Sequence, residues 1–575
     1  MKHSSRKILT LCLSLLMIFV SLTGCGATPA AVTPSSEVAV SESESADPVV
    51  SESVSEESSA APSEVVSAPE EVTLEFLAPA PVTSVNDFNS VLDEFYKETA
   101  DTLNVKINYT FTTFDDIGQK VTLKLAAGEA MDAAFSAQWT NPSIMQMVSN
   151  NQLTKLDTYF NNDAYPGLKK AFTQEYLRNN SFADTTGEYH VYGIPFSHSF
   201  DGGAVVYYRK DLAEKYGFST VDSYETLTKF YDAILANEKG MIPYSHLGSN
   251  DLLTSALQAM TDPITVKHNT IGINNIGLAI KDDGTVYASN SIIAAMDPLY
   301  KELEPVELRS LDPLRAFKLA REWYTKGYVE KDILSQKDHE GLFMAGKAAS
   351  YSRGLDTFSN IELRLKASIP GATLGYWVMN PGLRSNTPKT MGSGFQAWNF
   401  ASIPVTSKNA DRTMSFFNWL YSDMKNHDLF ELGLEGKHWD AVGDTKFKLP
   451  DNVDPATNYN FPGYILTWNP TMIRYDAAVP DEVVSIMNQL GDTNWYYKSI
   501  NAGFSFVSDS VKTEQAKMND LQSLLRAVGN GVIEDYAGEL TKIQKKFDQA
   551  GYSKMKDEMV RQFSDFLKDN PYEGQ

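Results

Sequence analysis

Strand-like and helix-like hydrophobic patterns alternate between residues 72 and 135, and this alternation constrains the fold more than any other feature. Apolar and polar residues alternate over 72–77 and again over 105–111, as in half-buried strands. After each of these segments, apolar residues recur every three or four positions, as on one face of a helix. A short third strand is expected at 133–135. This order of elements predicts an α/β fold with a parallel sheet and right-handed crossovers.

The residues that follow the third strand are candidates for ligand binding. Ligands of open α/β sheets bind beyond the carboxyl ends of the strands. Ser136, Gln138 and Trp139 come directly after the expected third strand. A core position is the alternative for Trp139, but its neighbours are polar, which favours the edge of the sheet.

The first 72 residues are not expected to belong to the globular body. Basic residues followed by an apolar stretch over 8–20 predict an export signal over 1–24. The run 22–25, Leu-Thr-Gly-Cys, resembles the bacterial lipobox and implies that Cys25 is lipidated. A signal peptide with a chance cysteine is the alternative. Residues 25–72 are rich in Ser, Pro and Glu and contain no Lys or Arg, which predicts a disordered acidic tether.

Charge and cysteine content argue against several classes of function. The net charge of -23 disfavours a general nucleic-acid binder, which needs a basic face for phosphates. Cys12 lies in the predicted signal and Cys25 in the lipobox, so no thiol is left for a disulfide, a metal site or a nucleophile. No cofactor or metal is expected. No apolar run after residue 25 is long enough to span a bilayer.

Three short runs of the body occur in an informative order. The first consists of Gly-Ile-Pro-Phe at 193–196 and, further along the chain, Tyr-Arg-Lys-Asp-Leu at 208–212. The second is Leu-Phe-Met-Ala-Gly-Lys-Ala-Ala at 342–349, and the third is a Ser-Lys-Asn turn at 407–409 before a helix with Phe-x-x-Trp-Leu at 416–420. With the lipobox, this ordered set resembles the family 1 extracellular solute-binding proteins of bacterial ABC importers. The resemblance extends from about residue 73 to the end of the chain, although an arginine stands at 209 where that family commonly has asparagine.

The carboxyl-terminal part is similar to a subfamily of large Gram-positive lipoproteins linked to oligosaccharide uptake. The run Leu-Gly-Leu-Glu-Gly-Lys-His-Trp at 432–439 is similar to their Gly-Ile-Glu-Gly-Lys-His-Tyr run. Leu434 and Trp439 replace Ile and Tyr. The tail over 550–562 also resembles theirs.

The resemblance implies a type II periplasmic-binding-protein-like fold, in which two α/β lobes close by a hinge around a cleft. The chain would cross between the lobes near Pro195 and Gly394, with carboxyl-terminal helices from about residue 511 packing across lobe 2. The expected boundaries are 73–195 and 395–430 for lobe 1, and 196–394 and 431–575 for lobe 2.

The implied function is that of a monomeric, lipid-anchored binding protein, not an enzyme, on the extracellular face of the cytoplasmic membrane. It would capture an oligosaccharide and deliver it to the membrane permease of an ABC importer.

Candidate ligand-binding residues follow from the chemistry of sugars. Aromatic rings stack on apolar sugar faces, and a few placed polar groups bind the hydroxyls. Burial in the core is the more common fate of any one aromatic residue, so the candidates are those beside polar turns after expected strands, with Trp468 a weaker candidate. The set is Ser136, Trp139, His198, Phe200, Asp201, Tyr351, Arg353, Phe395, Glu435 and Trp439. The aromatic residues predicted to lie in the core are Trp323, Trp419, Phe547, Phe563 and Phe566.

Other functions stay open at this point. A peptide is the alternative ligand for the same class of protein. A secreted glycoside hydrolase needs two carboxylates about 5–9.5 Å apart, and no local signature marks such a pair. The Gly-Ser-Gly at 392–394 lacks the spacing of a serine hydrolase, and the 8 histidines show no zinc-enzyme pattern. A surface scaffold or adhesin would suit the tether but not the three ordered runs.

Overall fold

The computed structural model describes residues 69–80, 85–247, 270–273, 276–281, 283–290, 306, 309–455 and 457–572. The predicted signal, Cys25 and nearly all of the predicted tether lie outside these residues. None of the helices described is both long and apolar enough to cross a membrane.

The secondary structure of the described residues mixes strands and helices throughout. The strands β1 to β18 are, in chain order, Val72–Pro79, Val105–Thr112, Ala133–Ala137, Phe182–Ala183, Tyr189–His190, Ile194–Phe196, Ala204–Arg209, Thr270–Ile273, Ile276–Ile280, Val286–Asn290, Ser350–Gly354, Leu374–Val378, Met391–Ser393, Asn399–Ser402, Asp440–Val442, Lys446–Lys448, Tyr475–Asp476 and Tyr496–Lys498. The helices α1 to α18 are Phe88–Thr99, Ile117–Ala127, Ile144–Ser149, Asp157–Phe160, Pro166–Ala171, Gln174–Asn179, Lys210–Lys215, Tyr224–Asn237, Arg315–Lys326, His339–Met344, Phe358–Ser368, Pro381–Arg384, Ala410–Ser422, Met424–Glu431, Asp481–Gly491, Lys512–Gly529, Tyr536–Ala550 and Tyr552–Asp569.

The first sheet has five strands in the order β2-β1-β3-β14-β6. β1 runs parallel to β2 and β3, as the alternating pattern predicts. β14 is antiparallel to both β3 and β6, so β6 is parallel to β3. The carboxyl ends of β1, β2, β3 and β6 therefore meet at one edge of the sheet.

The helices α1 and α2 link these strands as the hydrophobic spacing predicts. α1 buries Phe88, Val91, Leu92 and Phe95 on one face, at spacings of three and four residues. α2 ends at Gly128, whose φ of 67° is a left-handed conformation that glycine adopts without a Cβ clash.

The second sheet consists of β7 between β11 and β12, both antiparallel to it. Side chains of β7 alternate between two cores. Tyr207 faces the core shared with the first sheet, whereas Tyr208 faces a separate core around Trp323. The start of β7 and the ends of β11 and β12 meet at one edge of this sheet.

Two chain segments connect the sheets. The first, 197–203, leads from β6 to β7, so Pro195 itself still belongs to the first sheet. The second returns from β12 to β14 through β13, which pairs with β18. Gly394 lies on this return, directly after β13.

Residues 457–469 pack on the first sheet, which differs from the predicted lobe boundary at residue 431. Phe461 stacks on Phe88 at 5.7 Å between ring centroids, and the Tyr109 hydroxyl donates to the carbonyl of Ile465 at 3.5 Å. The aromatic residues of this loop pack against α1 and β2, and no local sequence pattern indicates that contact.

The carboxyl-terminal helices α16, α17 and α18 form a third core. Phe547 and Phe563 are fully buried there, as predicted, and Phe566 is half-buried. The same core includes Phe317 of α9 and Leu278 of β9. Trp323 is also buried as predicted, and Trp419 is half-buried against the first core.

Candidate ligand-binding site

An aromatic row lies at the carboxyl edge of the first sheet. It consists of Trp139, Phe114, Tyr464, Trp468 and His198. Successive ring centroids in that order lie 6.0, 5.7, 5.8 and 4.3 Å apart. Trp139 is 51% exposed and Phe114 is 42% exposed. The row therefore offers a continuous apolar surface that solvent reaches.

The strand order explains how distant residues meet in this row. Phe114, Trp139 and His198 each lie two residues beyond the end of a strand, namely β2, β3 and β6. These three strands are parallel, so the side chains that follow them meet at one edge. Tyr464 and Trp468 come from the loop over 457–469, and the Tyr464 hydroxyl donates to the last carbonyl of β1, at Pro79, at 3.3 Å.

A polar pair closes one end of the row. The Nε2 atom of His198 lies 3.9 Å from the Oε1 atom of Glu431, and Glu431 also accepts a hydrogen bond from Thr467. Burial lowers the pKa of His198 to about 3, with a smaller contribution from His427. Burial also raises the pKa of Glu431. At neutral pH His198 therefore stacks on Trp468 as an uncharged ring.

The edge of the second sheet where β7 begins and β11 ends carries Asp201, Arg353 and Asp356. Asp201 precedes β7, and its Oδ1 atom accepts from the backbone nitrogen of Gly203 at 2.8 Å. The backbone nitrogen of Leu355 donates to the carbonyl of Gly202 at 3.0 Å, which joins the two loops.

The two carboxylates of this edge share an exposed position and a raised pKa. Asp201 and Asp356 have exposed side chains, yet burial of their surroundings raises the pKa of each. The charge of Arg353 opposes this rise at Asp356. The exposed carboxylate oxygens of Asp201 and Asp356 can accept hydrogen bonds from hydroxyl groups.

Phe200 and Phe395 come together, but in the core of the connecting segments and not on the ligand surface. Their ring centroids are 5.1 Å apart, and both contact Tyr496. The side chain of Asn180 donates to the carbonyl of Phe395 at 2.9 Å and accepts from the nitrogen of Ala397 at 2.6 Å. These contacts hold the two connections between the sheets against each other.

The structure also places Ser136, Tyr351 and Trp439 in the core, which corrects those predictions. Ser136 is fully buried and bonds to Ser402 at 2.7 Å between Oγ atoms, because β3 runs to Ala137, two residues beyond its expected end. Tyr351 of β11 is fully buried with its ring 5.9 Å from that of Tyr207. Trp439 is buried and donates to the carbonyl of Gly433 at 3.0 Å.

Glu435 is exposed. It lies on a loop that contacts the start of α1, where Lys437 and His438 both approach Asp87. His438 Nε2 lies 2.8 Å from the Asp87 carboxylate. This loop secures the amino-terminal end of α1.

Sequence reasoning missed several residues of the site. Phe114 follows β2 just as Trp139 follows β3, so the same rule applied to β2 identifies it. Trp398, which is 71% exposed, precedes β14, and the register Asn399↔Ala137 places it beside the end of β3. Tyr464 and Glu431 have no signal in the sequence, because neither follows a strand.

Two segments of the sequence match known protein families. The family described as bacterial extracellular solute-binding protein matches residues 90–434. The chain belongs to this family of extracellular binding proteins. A second family, described as a domain of unknown function (DUF3502), matches residues 500–568.

Several named proteins resemble the chain, and their names describe carbohydrate transport. A carbohydrate ABC transporter substrate-binding protein of Streptococcus pneumoniae is 22% identical over 474 residues, covering 81% of this chain and 85% of that protein. The crystal structure of the N-glycan transport solute-binding protein NgtS from Streptococcus pneumoniae superposes with a TM-score of 0.64, at 18% identity, covering 87% of this chain and 99% of that chain. The structure of the Streptococcus pneumoniae substrate-binding protein FusA in complex with kestose gives 0.55 at 17% identity, covering 86% of this chain and 100% of that chain.

The comparisons confirm the predicted family and the type II periplasmic-binding-protein-like fold. They identify a protein that binds its solute outside the cell.

Proposed function

We propose that the protein binds an oligosaccharide in the cleft between its two sheets and delivers it to the permease of an ABC importer. The aromatic row is the observation that carries this proposal. A chain of linked sugar rings needs a repeated apolar platform, and five aromatic rings in successive contact form one. The carbohydrate function of the named relatives supports the same substrate class.

The polar edge of the second sheet supplies the complementary contacts. Carboxylates accept hydrogen bonds from sugar hydroxyls, and a guanidinium donates to them. Asp201 and Asp356 provide the acceptors, and Arg353 provides the donors. A ligand held by both edges stabilises a closed arrangement of the sheets, because contacts made only in the closed state shift that equilibrium.

Hydrolysis is the alternative that one observation favours. Two carboxylates with raised pKa values, at Asp201 and Asp356, are the type of groups that a glycoside hydrolase uses. Membership of a solute-binding family supports binding without cleavage.

One experiment separates these outcomes. The purified protein is titrated calorimetrically with plant-type, host-glycan-type and peptide ligands, and the ligands are recovered and analysed chromatographically. We expect saturable binding of an oligosaccharide that is recovered intact. Cleaved sugar would contradict the non-enzymatic function, and binding of peptides alone would contradict the substrate class.

We also propose that the protein is anchored to the outer face of the cytoplasmic membrane through a lipid on Cys25. The Leu-Thr-Gly-Cys run and the acidic segment that follows support an anchor with a tether. The Cys25→Ala variant is expected to move from the membrane fraction to the medium of cells that express it, because one lipidated residue supplies the anchor. Fractionation with metabolic labelling by a fatty acid measures this change. Equal membrane retention of the variant and the unchanged protein would contradict the anchor, and a Cys12→Ala variant serves as the matched control.

A further inference from the structure

A cavity of about 880 Å³ lies between the first sheet and the carboxyl-terminal helices. Gln138 and Asn141, which follow β3, contribute to one wall. Gln515 and Asn519 of α16 contribute to the other wall. Gln396, from the connection that leads to β14, completes this part of the lining. The cavity thus joins the ligand-binding edge to the segment that matches the domain of unknown function.

The lining of this cavity suits a neutral ligand with many hydroxyl groups. The side-chain amides of these five residues, and that of Asn501, make no hydrogen bond to any other residue in the part of the chain that the structure describes. Each amide both donates and accepts, as a hydroxyl does. The charged side chains in the described lining are Asp509 and Lys512, which pair with each other at 2.7 Å. Because their charges offset each other, the lining has no net charge to select an anion or a cation.

The cavity adjoins the aromatic row. Gln138 directly precedes Trp139, so the two Cα atoms are about 3.8 Å apart. On the return connection, residues alternate between buried and solvent-facing positions, with Phe395 and Ala397 buried. Gln396 and Trp398 therefore share the solvent-facing side, one lining the cavity and the other beside the end of β3. A ligand that leaves the row at Trp139 meets amide side chains next.

We propose that this cavity extends the ligand site and binds the distal residues of a neutral oligosaccharide that is longer than the aromatic row accommodates. The inference rests on the proposed function and adds a role for the carboxyl-terminal helices, which would set the ligand length that the protein prefers. The wall that α16 supplies gives a long ligand hydrogen bonds that a short ligand cannot reach.

The test is a chain-length series on the full-length protein. Neutral manno-, fructo- and galacto-oligosaccharides, from disaccharides to octasaccharides, are titrated calorimetrically into the unchanged protein and the Gln515→Ala/Asn519→Ala variant. We expect the unchanged protein to bind longer members more tightly. The variant should lose about tenfold in affinity for the longer members, the effect of roughly two lost hydrogen bonds, and keep its affinity for the shortest ones.

Two further variants sharpen this test. Gln522→Ala changes the same residue type on the same helix outside the cavity lining and should leave every affinity unchanged. Ala516→Trp places an indole at an exposed position of the lining and should abolish the gain from chain length.

The outcomes separate this inference from the proposed function. An equal loss for short and long ligands in the double variant, or an unaltered length dependence in both cavity variants, would overturn the role of the cavity alone. Absence of binding to any oligosaccharide by the unchanged protein would contradict the proposed function itself.

Discussion

Replacement of Trp139 by alanine is expected to weaken oligosaccharide binding about 30-fold. The indole begins the aromatic row and is half exposed, with one contact to Phe114 and one to Phe135. A sugar stacked on it covers roughly 80–100 Å² of apolar surface, which at about 25 cal/mol per Å² contributes about 2 kcal/mol. That free energy corresponds to the expected change in affinity. Calorimetric titration with the best oligosaccharide of the panel measures it.

Matched variants distinguish stacking from a general loss of apolar surface. Trp139→Tyr keeps an aromatic face and should retain most of the affinity. Leu123→Ala removes an apolar side chain that is 60% exposed on α2, outside the row, and should change nothing. The thermal midpoint of Trp139→Ala should stay close to that of the unchanged protein, because an exposed side chain contributes little to stability. An affinity within threefold of the unchanged protein, about 0.7 kcal/mol, would contradict the placement of the ligand on the row.

The row illustrates which site residues a sequence can reveal. Trp139 was predictable because it follows a strand and has polar neighbours, and His198 because it lies between the strand that ends at Phe196 and a glycine-containing turn. Trp468 was a weaker candidate, since it lies in a loop without a strand pattern. Its partner Tyr464 joins the row only through the tertiary packing of residues 457–469 on the first sheet.

The glycine-containing turns that served to predict ligand-binding residues also occur in the two connections between the sheets. Phe200 and Phe395 lie beside such turns, but they pack on each other and on Tyr496 because two crossing segments need a shared core. Asp201, one residue further, is exposed. The pattern therefore does not distinguish a residue that packs between the two connections from one that is exposed beside them.

Like the candidate site, the fold includes pairings that a local sequence pattern predicts and pairings between segments far apart in the sequence. The parallel pairing of β1 with β2 and β3 follows from a pattern contained in about 65 residues, because each crossover is local. The addition of β14 to the same sheet joins residues 399–402 to 134–137. No periodicity reports such a pairing, and the family resemblance alone indicated that each lobe would be discontinuous.

Replacement of Trp323 by alanine is expected to lower the free energy of unfolding by about 3–5 kcal/mol while leaving ligand affinity unchanged. The indole is 1% exposed on α9 and contacts the rings of Tyr231, Tyr244 and Tyr328 at 5.3–5.9 Å. Its Nε1 atom donates to the Tyr224 hydroxyl at 2.9 Å. Alanine would leave a cavity and an unpaired hydroxyl in the core behind the second sheet. Denaturant unfolding followed by circular dichroism measures the loss.

Two other tryptophan variants test whether this core acts independently of the ligand surface. Trp323→Phe keeps most of the ring contacts and should lose less stability than the alanine variant. Trp398→Ala removes a side chain that is 71% exposed and should change the free energy of unfolding by about 0.5 kcal/mol or less. Because Trp323 packs on the face of the second sheet opposite to Tyr207, its loss should not move the aromatic row. A large loss of affinity in Trp323→Ala under conditions where it stays folded would show that the two cores are coupled through β7, and that the ligand site depends on both.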